Sequence, residues 1–393
     1  MSPARHATVS HVSRRRILTW TAAVGAPVLV GAAILVPMAA SGAVDLPDKT
    51  PSELIAFAAA SDVDTLSGTI EQTSELGLPD VGAITGAMSG DSAPESEGGP
   101  TAADIDDLIS LVTGSHTAKV YLDGQSARLQ VLDPLGERNV YVDGAANQVW
   151  YVDSETQTAT QLTLASDAEI DELKHDAPQG TLPTPDQMLD ESLAALDETT
   201  AVTVGTDARV AGRDVYELIL TPRTDDTLVG EIRFAIDGEN GVALAASVTA
   251  RGAAEPAFET GFTQVDFAAP DPAVFAFTPG DDIAVTQQDV PLPTPGAGTH
   301  DAESTTDAAS PVVYGEGWSA VIALPSTSEA SAADVFAGLD PEQVALLDSV
   351  TTPVEGGRVL QTALVSVLIT DDGQVLAGAV AASRLVEAAQ TEF

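Results

Sequence analysis

The chain has 393 residues, a formal net charge of -43, only 4% aromatic residues and no cysteine, a length that suits one large domain with a smaller companion. With Lys49, Lys119 and Lys174 as its only lysines, it excludes nucleic acid as a partner, because phosphate binding needs clustered Lys and Arg. The missing cysteine rules out disulfides, thiolate metal sites, a cysteine nucleophile and lipidation at a cysteine of this chain.

Residues 1–43 hold Arg5, Arg14, Arg15 and Arg16 and no acidic residue, followed by an uncharged run from Ile17 to Ala43 rich in Ala, Val, Leu and Gly. A basic segment, an apolar segment and the small residues Ser41-Gly42-Ala43 make an export signal, and Ser13 to Leu18 resembles a twin-arginine signal. The apolar run exceeds the ~20 residues that span a bilayer, so the reading is a cleaved signal peptide or a retained membrane anchor. Either places everything after residue 44 outside the cytoplasm, on the outer face of the cell membrane or free in the envelope.

Thr50-Pro51-Ser52-Glu53 opens a helix with a capping box and an apolar stripe from Leu54, Ile55, Phe57 and Ala58. Period two follows, with Leu66, Gly68 and Ile70 alternating with Ser67, Thr69 and Glu71. Residues 77–101 read as a Gly/Ser/Pro-rich insertion, and Asp104 to Val112 as a short helix whose Asp104, Asp106 and Asp107 suit the dipole at its start. Strands are expected near 116–122, 126–132, 137–142, 147–152 and 157–164. Asp123-Gly124 and Asp143-Gly144 are hairpin turns in which glycine supplies positive φ.

Lys174 to Pro185 reads as a linker and Pro185 to Asp197 as an amphipathic helix through Met188, Leu189, Leu193 and Leu196. Strands near 201–210, 214–221, 229–237, 242–250 and 257–267 bring the expected total to eleven with the strand at 64–73. So many antiparallel strands must curl, and two helices suffice only to close a concave mouth. The predicted fold is mainly β (α+β): an eleven-stranded antiparallel half-barrel with helical lids, plus a small C-terminal α/β module. The expected boundaries are 1–43 signal or anchor, 44–280 half-barrel, 281–311 linker and 312–393 module. The module is read with strands near 312–324, 357–369 and 374–380, a turn at Asp371-Asp372-Gly373 and helices near 331–348 and 382–390.

No Gly-x-Ser-x-Gly elbow, phosphate loop or His-Glu-x-x-His motif occurs, and His116, His175 and His300 are widely separated. No catalytic residue, metal ligand or cofactor is assigned. The alternating strands supply an apolar face: Leu66, Ile70, Val120, Leu122, Leu129, Val131, Leu218, Leu220, Ile232, Phe234, Ile236, Leu244, Val248 and Phe262. The residues alone leave open whether this face is a closed core or the lining of a hollow. Tyr121, Tyr141 and Trp150 are likewise either a ligand-stacking set or aromatics covering the sheet.

Several segments resemble the LolA-like lipoprotein-carrier superfamily, above all its long actinobacterial members of carrier or sigma-factor-regulatory type. They are Leu66-Ser67-Gly68-Thr69, Gly77-Leu78-Pro79, Gly114-Ser115-His116-Thr117, Val149-Trp150, Val210 to Tyr216, Phe275-Ala276-Phe277-Thr278-Pro279, Gly315-Glu316-Gly317-Trp318 and Leu368 to Gly373. The resemblance implies a concave face that holds lipid or lipoprotein acyl chains beneath helical lids, without catalysis. An anchor, a long insertion and an added C-terminal module depart from the soluble carriers. They favour, as an alternative, a membrane-tethered regulator that senses lipid and meets a membrane protein partner through its C-terminal module.

Overall fold

The structure is a computed structural model that describes residues 44–77, 115–132, 136–163, 184–289, 312–324 and 348–390. The segments read as an N-terminal signal or anchor, as the insertion (all but its first residue), as the helix at 104–112, as the linker at 174–185 (nearly all of it) and as the helix at 331–348 (all but its last residue) lie outside them. Among the described residues no helix is long and apolar enough to cross a membrane.

Helix α1 (Pro51–Ala58) starts as its sequence dictates. Thr50 Oγ1 accepts from Glu53 N, the Glu53 carboxylate accepts from Thr50 N, and Pro51 sits where no intrahelical N–H is needed. Helix α2 (Pro185–Ala194) repeats the device with Thr184 and Gln187. Strands β1 (Thr65–Ser74), β2 (His116–Asp123), β3 (Ser126–Leu132), β4 (Glu137–Asp143), β5 (Gln148–Asp153) and β6 (Thr158–Thr163) form the first half of the large sheet. Strands β7 (Thr200–Val204), β8 (Ala208–Val210), β9 (Arg213–Pro222), β10 (Val229–Asp237), β11 (Ala243–Ala250) and β12 (Pro256–Asp266) form the second.

The order across the sheet is β13-β6-β5-β4-β3-β2-β1-β12-β11-β10-β9-β7, with β8 also on β9. The protein is mainly β, and this thirteen-stranded sheet is open rather than closed into a barrel. β1 and β12 form the antiparallel seam between the halves. The expectation of eleven strands falls short for two reasons. The strand read at 201–210 breaks into β7 and β8, where Gly205 lies so close to Glu217 that a Cβ would meet its carboxylate at 2.2 Å. β13 (Ala284–Asp289) arises within the stretch read as linker and pairs in parallel with β6. It carries no apolar period because it is an edge strand whose residues 284–287 are exposed.

The turn reading is corrected at one position. Gly124 has the expected positive φ of 53°, but after β4 the left-handed residue is Asn147, at 52°. Gly144 serves close approach instead, since a Cβ there would lie 2.3 Å from Gln125 Cβ.

The second sheet has the order β14-β15-β19-β18-β17-β16. Its strands are β14 (Val312–Tyr314), β15 (Val321–Leu324), β16 (Thr351–Val354), β17 (Gly357–Gln361), β18 (Ser366–Thr370) and β19 (Val375–Gly378). The strand read at 312–324 is interrupted by a 3-10 turn at Gly317–Ser319, and the one at 357–369 by a turn in which Thr362 Oγ1 accepts from Leu364 N and Val365 N. Helix α3 (Ala382–Gln390) buries Leu385 and Ala388 against Leu368, Leu376 and Val380.

This module is seated on the large sheet. Leu364 and Val365 are buried in the same core as Leu54 of α1, Met188 of α2 and Phe234 of β10. Trp318 Nε1 donates to Thr200 Oγ1 at 2.8 Å, Ala363 N to Leu76 O at 2.9 Å, and Thr227 Oγ1 and Leu228 N both to Ala379 O. At the start of the described chain, Leu46 N donates to Asp207, Tyr216 OH to Pro47 O, and Lys49 lies 4.6 Å from the Phe57 ring centre.

Candidate functional site, the half-covered face of the large sheet

In a strand, alternate residues share a face, and the cross-strand register carries that face from strand to strand. One row runs Gly68, Val120, Leu129, Val140, Tyr151, and the next Leu66, Leu122, Ala127, Val142, Val149, Leu162. A third runs Ile70, Ala118, Val131 before turning polar at Arg138 and Asp153. On the other half, Leu218 faces Phe234, and Leu220, Ile232 and Val248 stand in register.

The two halves differ in what covers them. Leu218, Leu220, Ile232, Phe234, Ile236 and Val248 are fully buried in the core that includes α1, α2 and the Leu364–Val365 turn. Leu66, Ile70, Leu244 and Phe262 are buried in an adjoining cluster with Val210 and Val215. In β2 to β6 the face is only half covered. Ala118, Val131, Val142 and Val149 are buried, but Val120, Leu122, Leu129, Val140, Tyr151 and Leu162 keep part of their surface exposed. A shallow pocket of about 150 Å³ opens there, lined by Leu129, Val131, Val140 and Tyr151 with Arg138 and Asp153 at its polar end. Burial raises the Tyr151 phenol above its ordinary range, so it stays a neutral hydroxyl.

Sequence reasoning found Val120, Leu122 and Leu129 on this half-covered face but missed Val140, Tyr151 and Leu162. The alternation Val140/Val142 was the available signal. It also missed a polar patch where the halves meet: Gln72 pairs with Thr260 across the seam, His116 continues that row on β2, and Ser74 lies opposite Phe258. His175 and His300 lie outside the described residues.

The aromatic trio sits elsewhere. Tyr121, Tyr141 and Trp150 occupy the opposite face, their side chains alternating with those of the apolar rows. There the chain's own Phe277 stacks on Tyr141 at 5.2 Å and meets Trp150 edge-on at 5.2 Å, while Arg128 lies over Tyr141 at 4.6 Å. The segment after β12 thus covers these rings, and Arg128 ties it down through Val274 O.

On the second half the same outer face is charged. Arg233 bridges Glu217 and Glu231, and burial raises Glu217 despite that partner. Glu259, between Thr73 and Ser247 in the ladder, is pushed up to about 7 by burial and by Glu255.

No protein-family model matches the chain, and no curated protein does. Among solved structures, it is similar to a chain from the Pseudomonas aeruginosa MucA/MucB complex, with 17% identity over 86% of this chain and 96% of that one, at a TM-score of 0.42. A putative outer membrane lipoprotein-sorting protein domain from Vibrio parahaemolyticus gives 11% identity over 56% and 94%, at 0.21. A LolA superfamily protein from Nitrosomonas europaea gives 9% over 58% and 99%, at 0.20. At these TM-scores the likenesses carry nothing about activity.

Proposed function

We propose that the chain is a non-catalytic, extracytoplasmic protein that binds lipid or lipoprotein acyl chains on the concave face of β2–β6. The observation that carries this reading is the set of apolar side chains Val120, Leu129, Val140, Leu122 and Leu162 along two rows, which keep part of their surface exposed while the equivalent face of β9–β12 is sealed. The shallow pocket there is smaller than the ~300–1,000 Å³ of clefts that enclose drug-sized ligands, so an acyl chain would lie along the sheet rather than inside a chamber. Each methylene withdrawn from water contributes ~0.8 kcal/mol, so a partly covered chain suffices for useful affinity. The export-type N-terminus supports placement outside the cytoplasm, tethered or released.

The test is native mass spectrometry of the purified full chain. Lipid should co-purify with the wild type and be lost from a Leu129→Asp, Val140→Asp variant that retains its fold. A wild type that carries no lipid and takes up none from micelles sinks the reading.

A second reading has its own support. Because Leu364 and Val365 of the module share a core with α1 and α2, a membrane protein that grips the module would be coupled to the lids. This favours a lipid-responsive regulator of the sigma-factor-regulator type. A membrane partner captured by the wild type and released on adding lipid supports it; capture indifferent to lipid does not.

A further inference from the structure

The chain is fastened to the fold almost as soon as its apolar N-terminal run ends. Leu46 lies against the β10–β11 turn, where a Cβ on Gly238 would come within 2.9 Å of its Cδ2, and Leu46 N donates to Asp207 Oδ2 at 3.1 Å. Tyr216 OH donates to Pro47 O at 2.9 Å, and Lys49 sits over the Phe57 and Tyr216 rings just before Thr50 caps α1. Leu46 to Lys49 thus form a strap, and only Val44 and Asp45 separate it from the apolar run. At about 3.3–3.6 Å per extended residue, that run ends within ~10 Å of Leu46.

So short a connection bears on the fate of the N-terminus. A peptidase cutting at Ser41-Gly42-Ala43 needs loose, exposed chain on both sides of the bond, and the docked strap removes it on one side. The connection also selects one end of the large sheet. Asp207, Tyr216 and Gly238 lie where β8 and β10 meet the start of β9 and where β10 turns into β11. The hydrogen bonds that seat the C-terminal module come from the opposite end: Thr227 and Leu228 precede β10, Leu76 follows β1, and Thr200 opens β7. With 9 residues in β10, these ends stand ~30 Å apart. All 59 acidic residues of the chain lie beyond residue 43, so an anionic leaflet repels the body while the strap holds one end of it close.

We propose that the N-terminal segment is retained as an anchor and that the strap stands the domain on the bilayer by its β9–β11 turn end, with the C-terminal module held at the far end. This rests on the tethered form of the reading above. It gives that form an orientation, in which a partner must reach the module with its own extracytoplasmic part.

The absence of cysteine allows one label per variant. The full chain is extracted from membranes and reconstituted in vesicles of phosphatidylcholine and phosphatidylglycerol. It carries a fluorophore at Glu239→Cys in the β10–β11 turn or at Ala253→Cys in the β11–β12 turn, both exposed positions. A lipid with a nitroxide on its headgroup should quench the first label and leave the second bright. Inserting about fifteen Gly/Ser residues after Ala43, ~20 Å of slack, should release the first label from quenching. Equal quenching of both labels, or quenching at the first that survives the insertion, overturns the orientation. An intact mass showing that the exported chain begins after residue 43 overturns the anchor, and the tethered reading with it. A chain that stands as proposed yet carries no lipid overturns the acyl-chain reading alone.

Discussion

Replacing Glu259 by Gln should stabilise the protein, and only above mildly acidic pH. Glu259 stands on the outer face of β12 between Thr73 and Ser247; Arg233, one strand beyond Ser247, is committed to Glu217 and Glu231. Burial first, then repulsion from Glu255, lifts its carboxyl from 4.5 to about 7 in the folded protein. A raised folded value means that the native state holds a proton the unfolded chain has released. Stability therefore falls as pH rises from about 4.5 to about 7 and is level beyond. At ~1.4 kcal/mol per pH unit, the displacement from 4.5 to about 7 corresponds to about 3.5 kcal/mol at most. Glu259 is partly solvated, and screening reduces this to roughly 1–2 kcal/mol. Urea denaturation of wild type and Glu259→Gln across this range should show curves that coincide at the acid end and separate by that amount at pH 8. A difference of constant size at every pH, or a variant weaker than wild type at pH 8, would refute the reasoning.

Leu364→Ala should cost about 2–5 kcal/mol, the range for a buried leucine, and calorimetry should show both sheets losing stability because the residue belongs to their shared core. Gly68→Ala should lower the denaturation midpoint by the equivalent of about 1–3 kcal/mol, since its Cβ would fall 2.6 Å from both Gln264 O and the Phe262 ring. Thr50→Ala removes the α1 capping box and should cost about 1 kcal/mol, read as faster amide exchange through Leu54 and Ala58.

The sequence made the elements legible wherever one face is buried and the other wet. Ile232, Phe234 and Ile236 alternate with Glu231, Arg233 and Asp237; the structure buries the first set and leaves Glu231 and Arg233 on the outer face, but Asp237, read as outward, is buried and paired with Arg213. The α1 cap was equally legible because the capping box is local chemistry. β13 was hidden because an exposed edge strand needs no apolar period. The division of the apolar face into sealed and half-covered parts was hidden for another reason. Nothing in Leu129 distinguishes it from Leu218; only the docking of α1, α2 and the Leu364–Val365 turn over β9–β12 does.

The central place of β1 governs the order in which the chain can assemble. β2 to β6 form a run of neighbouring hairpins that can pair as they emerge. β1, made earlier, needs β12 to cover its other edge, and the Thr263–Thr69 hydrogen bond joins residues 194 apart. Closing so long a loop is entropically costly and slow. Until residue 256 is available, Thr65–Ser74 offers a bare strand edge alongside Leu66 and Ile70, the kind of edge that recruits other chains. A product that stops short of β12 is therefore expected to be aggregation-prone, with its first six strands already in place.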